Sequence, residues 1–303
     1  MENNIYEQLC HVAGKDCVKI NEKMSSHTTF RIGGEAEYFV TPKDRAGVEG
    51  TLLLCKEQKV PLYVIGNGSN LLVSDEGVKG VVLQIGRGLS QVEITEGKIV
   101  AQAGAMLTQV ANMAGKNGYT GMEFAVGIPG TIGGAVAMNA GAYGGEIKDV
   151  IVSATVLTPL GEVNKLTKEQ LELGYRTSKV TRENYIVLEA EFLLASGNPE
   201  EIKAMSDKNM QARAEKQPLE YPSAGSTFKR PEGYFAGKLI MDAGLRGYSV
   251  GDAQVSEKHC GFLINKGNAT AKDMMTLIKQ VQEKVKEQYG VMLEPEVKMI
   301  GFQ

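Results

Sequence analysis

The sequence predicts an α+β protein of two domains. Short apolar segments between turn residues, typical of β-strands, occur among longer segments in which apolar residues recur at helical spacing. The chain of 303 residues shows no internal repeat and accommodates about two domains of about 150 residues each. After Pro199 the chain becomes richer in charged helical segments. We therefore predict a first domain at 1–199, with subdomains at about 1–85 and 86–199, and a second domain at 200–303.

The first domain has three predicted helices. The first lies at about 3–14, and the second at Arg45–Gln58 ends before a proline. A third precedes Gly118, a residue that suits a helix C-terminus, and its apolar face is formed by Met106, Val110 and Met113.

Strands make up most of the rest of this domain. The first, Phe30–Val40, contains a turn or bulge at Arg31–Gly34, and a short strand and turn cover 71–77. The others are Leu62–Ile65, Val81–Ile85, Val92–Thr95, Ile99–Ala103, Val150–Leu157, Glu162–Lys165 and Ile186–Leu194. A linker at 196–199 follows.

The second domain combines helices with few strands. A charged helix at Glu200–Lys216 precedes a polar loop at Ser223–Pro231 and a short helix at Phe235–Ala243. A strand at Gly261–Asn265 leads to a long helix from the N-cap Thr270 to Gly290, with the inward residues Met274, Leu277, Ile278, Val281 and Val285. The segment Val297–Ile300 is strand-like.

Composition and charge exclude several classes of partner. The net charge is −3 and no run of five like charges occurs, so nucleic acid and anionic membrane surfaces are not expected partners. The first residues lack a signal-peptide pattern, and no stretch of eighteen apolar residues occurs. We expect a cytoplasmic enzyme and, for want of an apparent association surface, a monomer.

Cysteine and histidine do not form a metal-binding pattern. The four cysteines lack C-x-x-C spacing, which argues against a zinc site or a disulfide framework. The three histidines are not arranged as H-E-x-x-H. The sequence therefore predicts no metal.

Two glycine-rich segments are the strongest indication of function. Gly127–Gly145 contains seven glycines and four alanines, and Gly66–Asn70 reads GNGSN. Residues with little or no side chain let backbone N–H groups approach a ligand, and successive amides form concavities that hold anions such as diphosphate. The pair predicts a large phosphorylated cofactor, although each segment alone could be a tight turn.

The best-known nucleotide motifs do not fit. A dinucleotide site requires G-x-G-x-x-G between a strand and a helix, but Leu71 occupies the place of the third glycine and the following residues resemble a strand. The P-loop motif G-x-x-x-x-G-K-[ST] is absent. The cofactor must therefore be held in another way.

Five motifs in order identify a resemblance. They are GNGSNLL, GIPGTIGGAVAMNAGAYG, YRTSK, SAGSTFKRP and LEPEV, and together they resemble the UDP-N-acetylenolpyruvoylglucosamine reductase family from about Thr28 to Ile300. The resemblance implies the FAD-binding fold of the vanillyl-alcohol/p-cresol oxidase type in two subdomains, followed by an α+β substrate-binding domain. It also implies the shorter type of family member, which lacks an extra loop that closes over the substrate.

Three catalytic residues follow from the resemblance. Ser226 would donate a proton to the substrate carbon, and Arg176 and Glu296, the latter in its protonated form, would stabilise the charge that develops on the enolpyruvyl group. The residues alone leave Ser226 as a turn or cap residue and Arg176 as a surface cation. Glu294 is the neighbouring alternative to Glu296, but Glu296 matches the family motif.

The implied reaction uses FAD and NADPH. Hydride passes from NADPH through the flavin to the enolpyruvyl ether of UDP-N-acetylglucosamine, giving UDP-N-acetylmuramate for peptidoglycan synthesis. The expected cofactor contacts are Gly66, Asn67, Gly68, Ser69, Asn70, Ile128, Pro129, Gly130, Ile132, Gly133, Gly134, Asn139, Ala140, Gly141 and Ala142.

Substrate contacts are less sharply marked. The expected set is Tyr175, Arg213, Lys216, Lys229 and His259, although Arg213 could equally lie on a solvated face. Two positions depart from the family pattern. Arg230 stands where some members have a short polar amide, and His27 stands where many members have Asn.

Two other functions remain open from the sequence. One is an FAD-linked oxidase of a small alcohol on the same fold, because fold alone does not determine function. The other is a non-catalytic flavin or nucleotide-sugar sensor. The presence of all three catalytic motifs favours the reductase.

Overall fold

A computed structural model describes residues 5–302. Residues 3 and 4 of the first predicted helix lie outside this range. Most of the other predicted helices are confirmed to within a few residues. The helices are α1 Ile5–Ala13, α2 Arg45–Glu57, α3 Leu107–Lys116, α4 Ile132–Ala137, α5 Ile147–Val150, α6 Lys179–Arg182, α7 Pro199–Lys216, α8 Ala236–Asp242 and α9 Ala271–Tyr289.

Strands form several small sheets. Their bounds are β1 Val18–Lys23, β2 Glu35–Val40, β3 Leu62–Ile65, β4 Leu71–Val73, β5 Val78–Gln84, β6 Val92–Thr95, β7 Lys98–Gln102, β8 Tyr119–Thr120, β9 Gly141–Ala142, β10 Gly145–Glu146, β11 Ile151–Leu157, β12 Val163–Thr167, β13 Ile186–Leu193, β14 Ala195–Ser196, β15 Ser223–Ser226, β16 Ser249–Val250, β17 Ala253–Val255, β18 Phe262–Asn265 and β19 Lys298–Ile300.

The described chain divides into two compact units. Unit 1 comprises the described residues up to Ile20, with Tyr38–Asn67 and Gly80–Arg213. Unit 2 comprises Asn21–Glu37, Gly68–Lys79 and the described residues from Ala214 onward. The division falls within β1, β2, β5 and α7 and inside the GNGSN loop. Two N-terminal segments thus belong with the C-terminal third, which the linear boundary at 199/200 did not anticipate; that domain division stays a prediction.

Unit 1 has its core around a five-stranded antiparallel sheet of order β12-β11-β13-β7-β6. Fully buried residues such as Ile99, Ala101 and Phe192 belong to this core. A four-stranded sheet has the order β1-β2-β5-β3, in which β3 and β5 are parallel. Helix α4 contacts β13 and so carries the second glycine segment against the core of the unit.

Unit 2 is built on the antiparallel sheet β15-β18-β17-β16. Helix α9 begins as predicted, because the Thr270 hydroxyl accepts a hydrogen bond from the Asp273 N–H, and it ends at Gly290 with φ +69°. Its predicted inward residues are all buried: Met274, Leu277, Ile278, Val281 and Val285. A two-stranded parallel sheet joins β4 to β19.

Three predictions of local structure were wrong in part. The strand expected at Phe30–Val40 begins only at Glu35, because Arg31 and Gly33 have φ of +56° and +137° and break the extended chain. The polar loop expected at Ser223–Pro231 begins as strand β15. In α3 the buried face comprises Leu107, Val110, Ala111 and Ala114, with Met106 and Met113 only half-buried.

Candidate active site

The GNGSN loop presents a row of backbone donors. None of the residues that the structure describes accepts a hydrogen bond from the backbone N–H groups of Gly66, Asn67, Gly68, Ser69 or Asn70. All five residues are buried or half-buried, and Gly68 has φ +63°. Buried amides are nearly always paired. A row of unpaired amides around a left-handed glycine is therefore the arrangement expected of an anion-binding concavity.

The second glycine segment contacts this loop within unit 1. The Asn67 side-chain amide donates a hydrogen bond of 2.7 Å to the Pro129 carbonyl oxygen, across 62 residues of sequence. A Cβ on Gly66 would lie 2.4 Å from the Thr131 hydroxyl oxygen, so only glycine permits this approach. Within the described chain, the N–H groups of Gly130 and Thr131 also have no protein acceptor. Within unit 1, Gly66 and Asn67 thus lie beside the turn at Pro129–Thr131.

Farther along the second segment, the amides are already used by the protein. The N–H of Ile132 donates to the Ala105 carbonyl at 2.8 Å, and that of Gly133 donates to the Ala103 carbonyl at 2.8 Å. The Gly134 N–H donates to the Thr131 hydroxyl at 3.4 Å, which caps α4. These three residues therefore hold α4 in place through the backbone groups that we expected to face a ligand. Any contact they make with a cofactor uses other atoms.

The donor set fits the cofactor that the resemblance implies. FAD carries a diphosphate, and paired concavities of backbone N–H groups suit such an anion. A second unpaired group lies in unit 2, where the buried Thr29 hydroxyl has no hydrogen-bond partner among the described residues. The backbone N–H of Thr29 donates to the Gly68 carbonyl oxygen at 3.2 Å, which places this hydroxyl next to the GNGSN loop.

Asn139 has a different environment from the one that its place in the motif suggested. Its side chain is fully buried, and its amide nitrogen donates to Glu146 Oε2 at 2.9 Å and to the Gly174 carbonyl at 3.1 Å. Its amide oxygen accepts a hydrogen bond from the Lys148 N–H at 2.9 Å. Both amide hydrogens are therefore committed to protein partners. Ala140 precedes the hairpin β9–β10, in which Gly141 and Ala142 pair with Glu146 and Gly145.

Arg176 lies at the tip of a tight turn. Gly174 and Thr177 exchange backbone hydrogen bonds of 3.0 and 3.3 Å, which leaves Tyr175 and Arg176 at the tip. Arg176 has φ +55°, a conformation that costs energy for any residue except glycine and that clusters at functional sites. Its guanidinium donates to the Gly141 carbonyl at 3.3 Å and lies 5.3 Å from the ring centroid of the exposed Tyr175. The turn thus fixes the guanidinium beside the second glycine segment.

Arg213 also contacts the second glycine segment. Its Cδ lies 2.7 Å from the position of a Cβ on Gly127, so the arginine stem packs directly against glycine backbone. Burial lowers the pKa of Arg213, and the nearby Tyr143 opposes that shift. Burial raises the pKa of Tyr143, while Arg213 lowers it. Arg213 is therefore not the solvated surface cation that the sequence left as an alternative.

Ser226 lies at the end of a strand in unit 2. Strand β15 pairs with β18, and Ser226 is opposite Phe262. Gly225, which precedes it, has φ +77°, and a Cβ there would meet nothing within 4 Å. The half-buried serine therefore follows a glycine with open space beside it, as its proposed contact with a substrate requires.

Glu296 is held next to the Ser226 strand. Its N–H donates to the Thr227 carbonyl at 2.8 Å, and Phe228 forms an isolated antiparallel bridge with Pro295. The Asn70 side chain donates to the Glu296 carbonyl at 3.1 Å. Unit 2 therefore brings the end of the GNGSN loop, the strand of Ser226 and the segment of Glu296 together.

The cations proposed for the substrate have contrasting partners. Lys229 forms an ion pair with the exposed Glu294, and its N–H donates to the Glu294 carbonyl at 2.8 Å. Lys216 ends helix α7, and Lys258 Nζ donates to the carbonyl of Ala214 at 2.7 Å in the last turn of that helix. Lys229 is therefore already paired with an acidic side chain. The C-terminal end of α7 lies near the loop that contains His259.

His259 has a defined tautomer. The Gly261 N–H donates to His259 Nδ1 at 3.1 Å, so the proton of the neutral ring is on Nε2. Burial lowers the pKa of His259, and the positive charge of Lys216 lowers it further. The ring also makes an edge contact with Phe262, with centroids 5.1 Å apart. At neutral pH His259 is an uncharged hydrogen-bond donor.

Two residues that contact the glycine segments were not predicted from the sequence. Thr131 caps α4 and touches Gly66, and its place just before an apolar helical run is a recognisable N-cap signal. Thr29 offers no such signal, because only the structure shows its hydroxyl to be buried without a partner.

Residues 5–302 show neither a cluster of metal-binding side chains nor a membrane-spanning helix. There, no three or more His, Cys, Asp or Glu side chains are grouped so that they could bind a metal ion. Nor does a helix in residues 5–302 have both the length and the apolarity needed to cross a bilayer. The four cysteines are free thiols, and burial raises the pKa of Cys55 to about 11.

Comparison with known families defines the class of protein. Residues 36–167 match the family described as FAD binding domain. Residues 217–300 match the family described as UDP-N-acetylenolpyruvoylglucosamine reductase, C-terminal domain. The α+β FAD-binding fold predicted from the sequence is confirmed, and the protein is an FAD-dependent oxidoreductase.

Individual relatives agree over nearly the whole chain. The UDP-N-acetylenolpyruvoylglucosamine reductase of Agathobacter rectalis is 58% identical over 93% of this chain and 93% of its own length. That of Lachnoclostridium phytofermentans is 53% identical over 99% and 98%. The crystal structure of the enzyme from Thermus caldophilus, at 33% identity, superposes with a TM-score of 0.82 over 93% of this chain and 99% of that one. The chain belongs to the UDP-N-acetylenolpyruvoylglucosamine reductase family.

Proposed function

We propose that this reductase uses NADPH and bound FAD to convert the enolpyruvyl ether of UDP-N-acetylglucosamine into UDP-N-acetylmuramate. The product would enter peptidoglycan precursor synthesis in the cytoplasm, and through it cell-wall formation, cell shape and division. The observation that carries the proposal is the arrangement in unit 2. There Asn70 of the GNGSN loop donates to the Glu296 carbonyl, and the Glu296 N–H donates to Thr227, the neighbour of Ser226.

The chemistry divides between the cofactor and the protein. When bound, FAD supplies hydride transfer from the nicotinamide to the terminal vinyl carbon of the substrate. We assign to Ser226 the proton that C2 of the substrate receives. A serine hydroxyl is a weak acid, but an enolate-like carbon is basic enough to take its proton. The open space beside Gly225 supports this assignment, because a substrate can approach Ser226 there.

Arg176 and Glu296 would act on developing charge. As electron density moves toward the substrate carboxylate, a guanidinium and a protonated carboxyl group stabilise it more in the transition state than in the ground state. The strained φ of +55° at Arg176 supports a functional role, because the structure must compensate for its cost. Arg176 belongs to unit 1 and Glu296 to unit 2. In the proposed reaction both residues act on the same substrate molecule.

The cofactor contacts can be ranked from the geometry. We propose that Gly66, Asn67, Gly68, Ser69, Asn70 and Gly130 hold the FAD diphosphate through backbone donors, helped by Thr131 and Thr29. Ile128, Pro129, Ala140, Gly141 and Ala142 would complete the cofactor surface. Ile132, Gly133, Gly134 and Asn139 would shape that surface from behind, because their donors are used by the protein.

The substrate contacts follow from charge and exposure. We propose that the nucleotide-sugar diphosphate is bound by Arg213, Lys216, Lys229, His259 and Tyr175. The neutral His259 would donate from Nε2. Lys229 would have to leave Glu294 or share it, since the two are paired in the structure.

Anaerobic rapid mixing tests the function. NADPH should bleach the flavin of the purified holoenzyme, and addition of the enolpyruvyl sugar nucleotide without oxygen should restore it. Restoration by oxygen alone would identify an oxidase instead, and absence of bleaching would identify a sensor. Product of the expected mass must appear in one equivalent per flavin reoxidised.

A further inference from the structure

The contacts of Asn139 indicate a role in addition to its place in the cofactor motif. We propose that it is a positioning residue for Arg176, and this inference rests on the proposed role of Arg176. Asn139, Arg176 and the residues that connect them all lie in unit 1.

The side-chain amide of Asn139 makes three hydrogen bonds to other parts of unit 1. One amide nitrogen donates to two groups, Glu146 Oε2 and the Gly174 carbonyl oxygen, and the amide oxygen accepts from the Lys148 N–H. Only a carboxamide offers two donors and an acceptor in this geometry. Because the side chain is fully buried, loss of one of these bonds leaves part of the hydrogen-bonding capacity of the amide unmet and away from water.

One of these bonds connects Asn139 to the turn that carries Arg176. Gly174 immediately precedes the two residues at the tip of the turn. Its N–H and its carbonyl both form hydrogen bonds with Thr177, which closes the turn. The Asn139 amide binds the same carbonyl from outside the turn. It therefore holds a turn in which Arg176 occupies a left-handed conformation at a cost in energy.

Asn139 is also connected to the Arg176 guanidinium, through the hairpin β9–β10. Arg176 donates to the Gly141 carbonyl at 3.3 Å, and Gly141 pairs with Glu146 in the hairpin β9–β10. Asn139 binds the side chain of that same Glu146. One buried amide thus holds the turn that carries Arg176 and the hairpin that receives its guanidinium.

A second bond supports the same connection. The Ser178 hydroxyl, fully buried just after the turn, donates to the Ala137 carbonyl at 2.7 Å. Ala137 lies two residues before Asn139. The turn is therefore fastened to the second glycine segment at both ends, and the position of Arg176 relative to that segment is set by these bonds.

The test is a double-mutant cycle in the holoenzyme. Asn139→Ala should slow flavin reoxidation by the enolpyruvyl substrate on the order of 100-fold, the effect of a small misplacement of a catalytic group, and leave flavin reduction by NADPH unchanged. In an Arg176→Ala background the same change should have a further effect below about twofold, because its route of action is already gone. Equal effects in both backgrounds would overturn the inference.

A matched control separates positioning from general destabilisation. Asn209 is also buried in unit 1, and its amide donates at 2.9 Å to the carbonyl of Glu123, a residue outside both the Gly174–Thr177 turn and the β9–β10 hairpin. Asn209→Ala should lower the melting temperature and keep normal reoxidation. Hydrogen exchange of the Gly174 and Thr177 amides should accelerate in Asn139→Ala and stay unchanged in Asn209→Ala; equal exchange in the two variants would contradict the proposal.

Two further arms keep the outcome decisive. If Asn139→Ala does not fold, Asn139→Asp takes its place in the cycle with the same expected dependence on Arg176, because it keeps an acceptor for the Lys148 N–H and loses both amide donors. A wild-type enzyme whose reduced flavin is not reoxidised by the substrate overturns the proposed function. A wild type that is reoxidised, with additive effects of the two substitutions, overturns only the role of Asn139.

Discussion

The side-chain amide of Asn70 donates a hydrogen bond of 3.1 Å to the backbone carbonyl of Glu296, across 226 residues of sequence. The Asn70 carbonyl in turn accepts from the Lys298 N–H at 3.0 Å. Within unit 2 the last residue of the GNGSN loop is therefore bonded to Glu296 and to Lys298, two residues farther along the chain. Under the proposed function, cofactor binding at this loop and the position of the glutamate would be linked through Asn70.

We expect Asn70→Ala to weaken FAD binding and to slow flavin reoxidation by the substrate. Loss of one such bond should lower the free energy of unfolding by about 1 kcal/mol, and it should reduce both FAD affinity and the rate of flavin reoxidation. Asn117→Ala is a suitable control, because that exposed amide also donates to a backbone carbonyl, that of Met113 at 2.8 Å. Fluorescence titration with FAD and rapid mixing measure the effects. Normal affinity and rate in Asn70→Ala would show that this bond has no part in the site.

Gly68 should not tolerate a side chain. Its φ is +63°, and a Cβ would lie 1.9 Å from the His27 carbonyl oxygen. Gly244 has φ +73° but open space around a Cβ, so Gly244→Ala isolates the conformational cost, about 1–2 kcal/mol. Gly68→Ala should lose more stability than this control and bind FAD poorly. The melting temperatures of the two variants and their flavin content after purification provide the comparison; equal values would contradict the steric argument.

Glu296 and Glu294 form a natural pair of test and control. Glu296→Gln should slow reoxidation on the order of 100-fold or more, the loss typical of removing one group that stabilises transition-state charge. Glu294 is exposed and paired with Lys229, a contact of the kind that contributes about 0–1 kcal/mol at a surface. Glu294→Gln should therefore change the KM for the nucleotide sugar and leave kcat near the wild-type value. The reverse ranking of kcat would make Glu294 the catalytic residue.

Ser226→Ala should separate the two half-reactions. We expect reduction by NADPH at the wild-type rate and reoxidation by substrate about 100- to 10,000-fold slower, since a proton donor of this kind contributes that much. Ser223→Ala, at the other end of β15, should behave as wild type in both. Reactions in deuterated buffer should show the label at C2 of the product in wild type. A Ser226→Ala enzyme with normal reoxidation would remove the serine from the mechanism.

The sequence was most informative where local signals and burial agree. Helix α9 was predicted at nearly its observed limits, because the Thr270 cap, the apolar stripe and Gly290 act within a few residues of one another. Strand β15 was missed because Ser223–Ser226 has no β-branched or aromatic residue, and its strand conformation comes from pairing with β18.

The site shows the same division. The Gly68 loop was predicted because glycines at a left-handed position are visible in sequence. The buried role of Asn139 was not, because its partner Gly174 is 35 residues away and no local pattern joins them. Glycine content likewise gives no sign that the Gly133 N–H donates to the Ala103 carbonyl oxygen.

His259 should make stability depend on pH in the acid range. Its pKa is lowered in the folded protein, by burial and then by Lys216, from the ordinary value of 6.5. The unfolded chain therefore binds more protons than the native one below that value. The contribution of the neutral ring to the free energy of unfolding is fully present above about pH 6.5. It is lost as the pH falls through the lowered pKa of the native state.

The difference in unfolding free energy between wild type and His259→Asn should therefore decrease from pH 8 to pH 5.5. Asparagine keeps an acceptor for the Gly261 N–H but does not titrate, so its own curve lacks this component. Lys216→Met should lessen the decrease seen in the wild-type background, because it removes a cation that lowers the histidine pKa. Denaturant titrations at matched ionic strength measure all three proteins. Parallel curves for wild type and His259→Asn would mean that the native histidine titrates like the unfolded one.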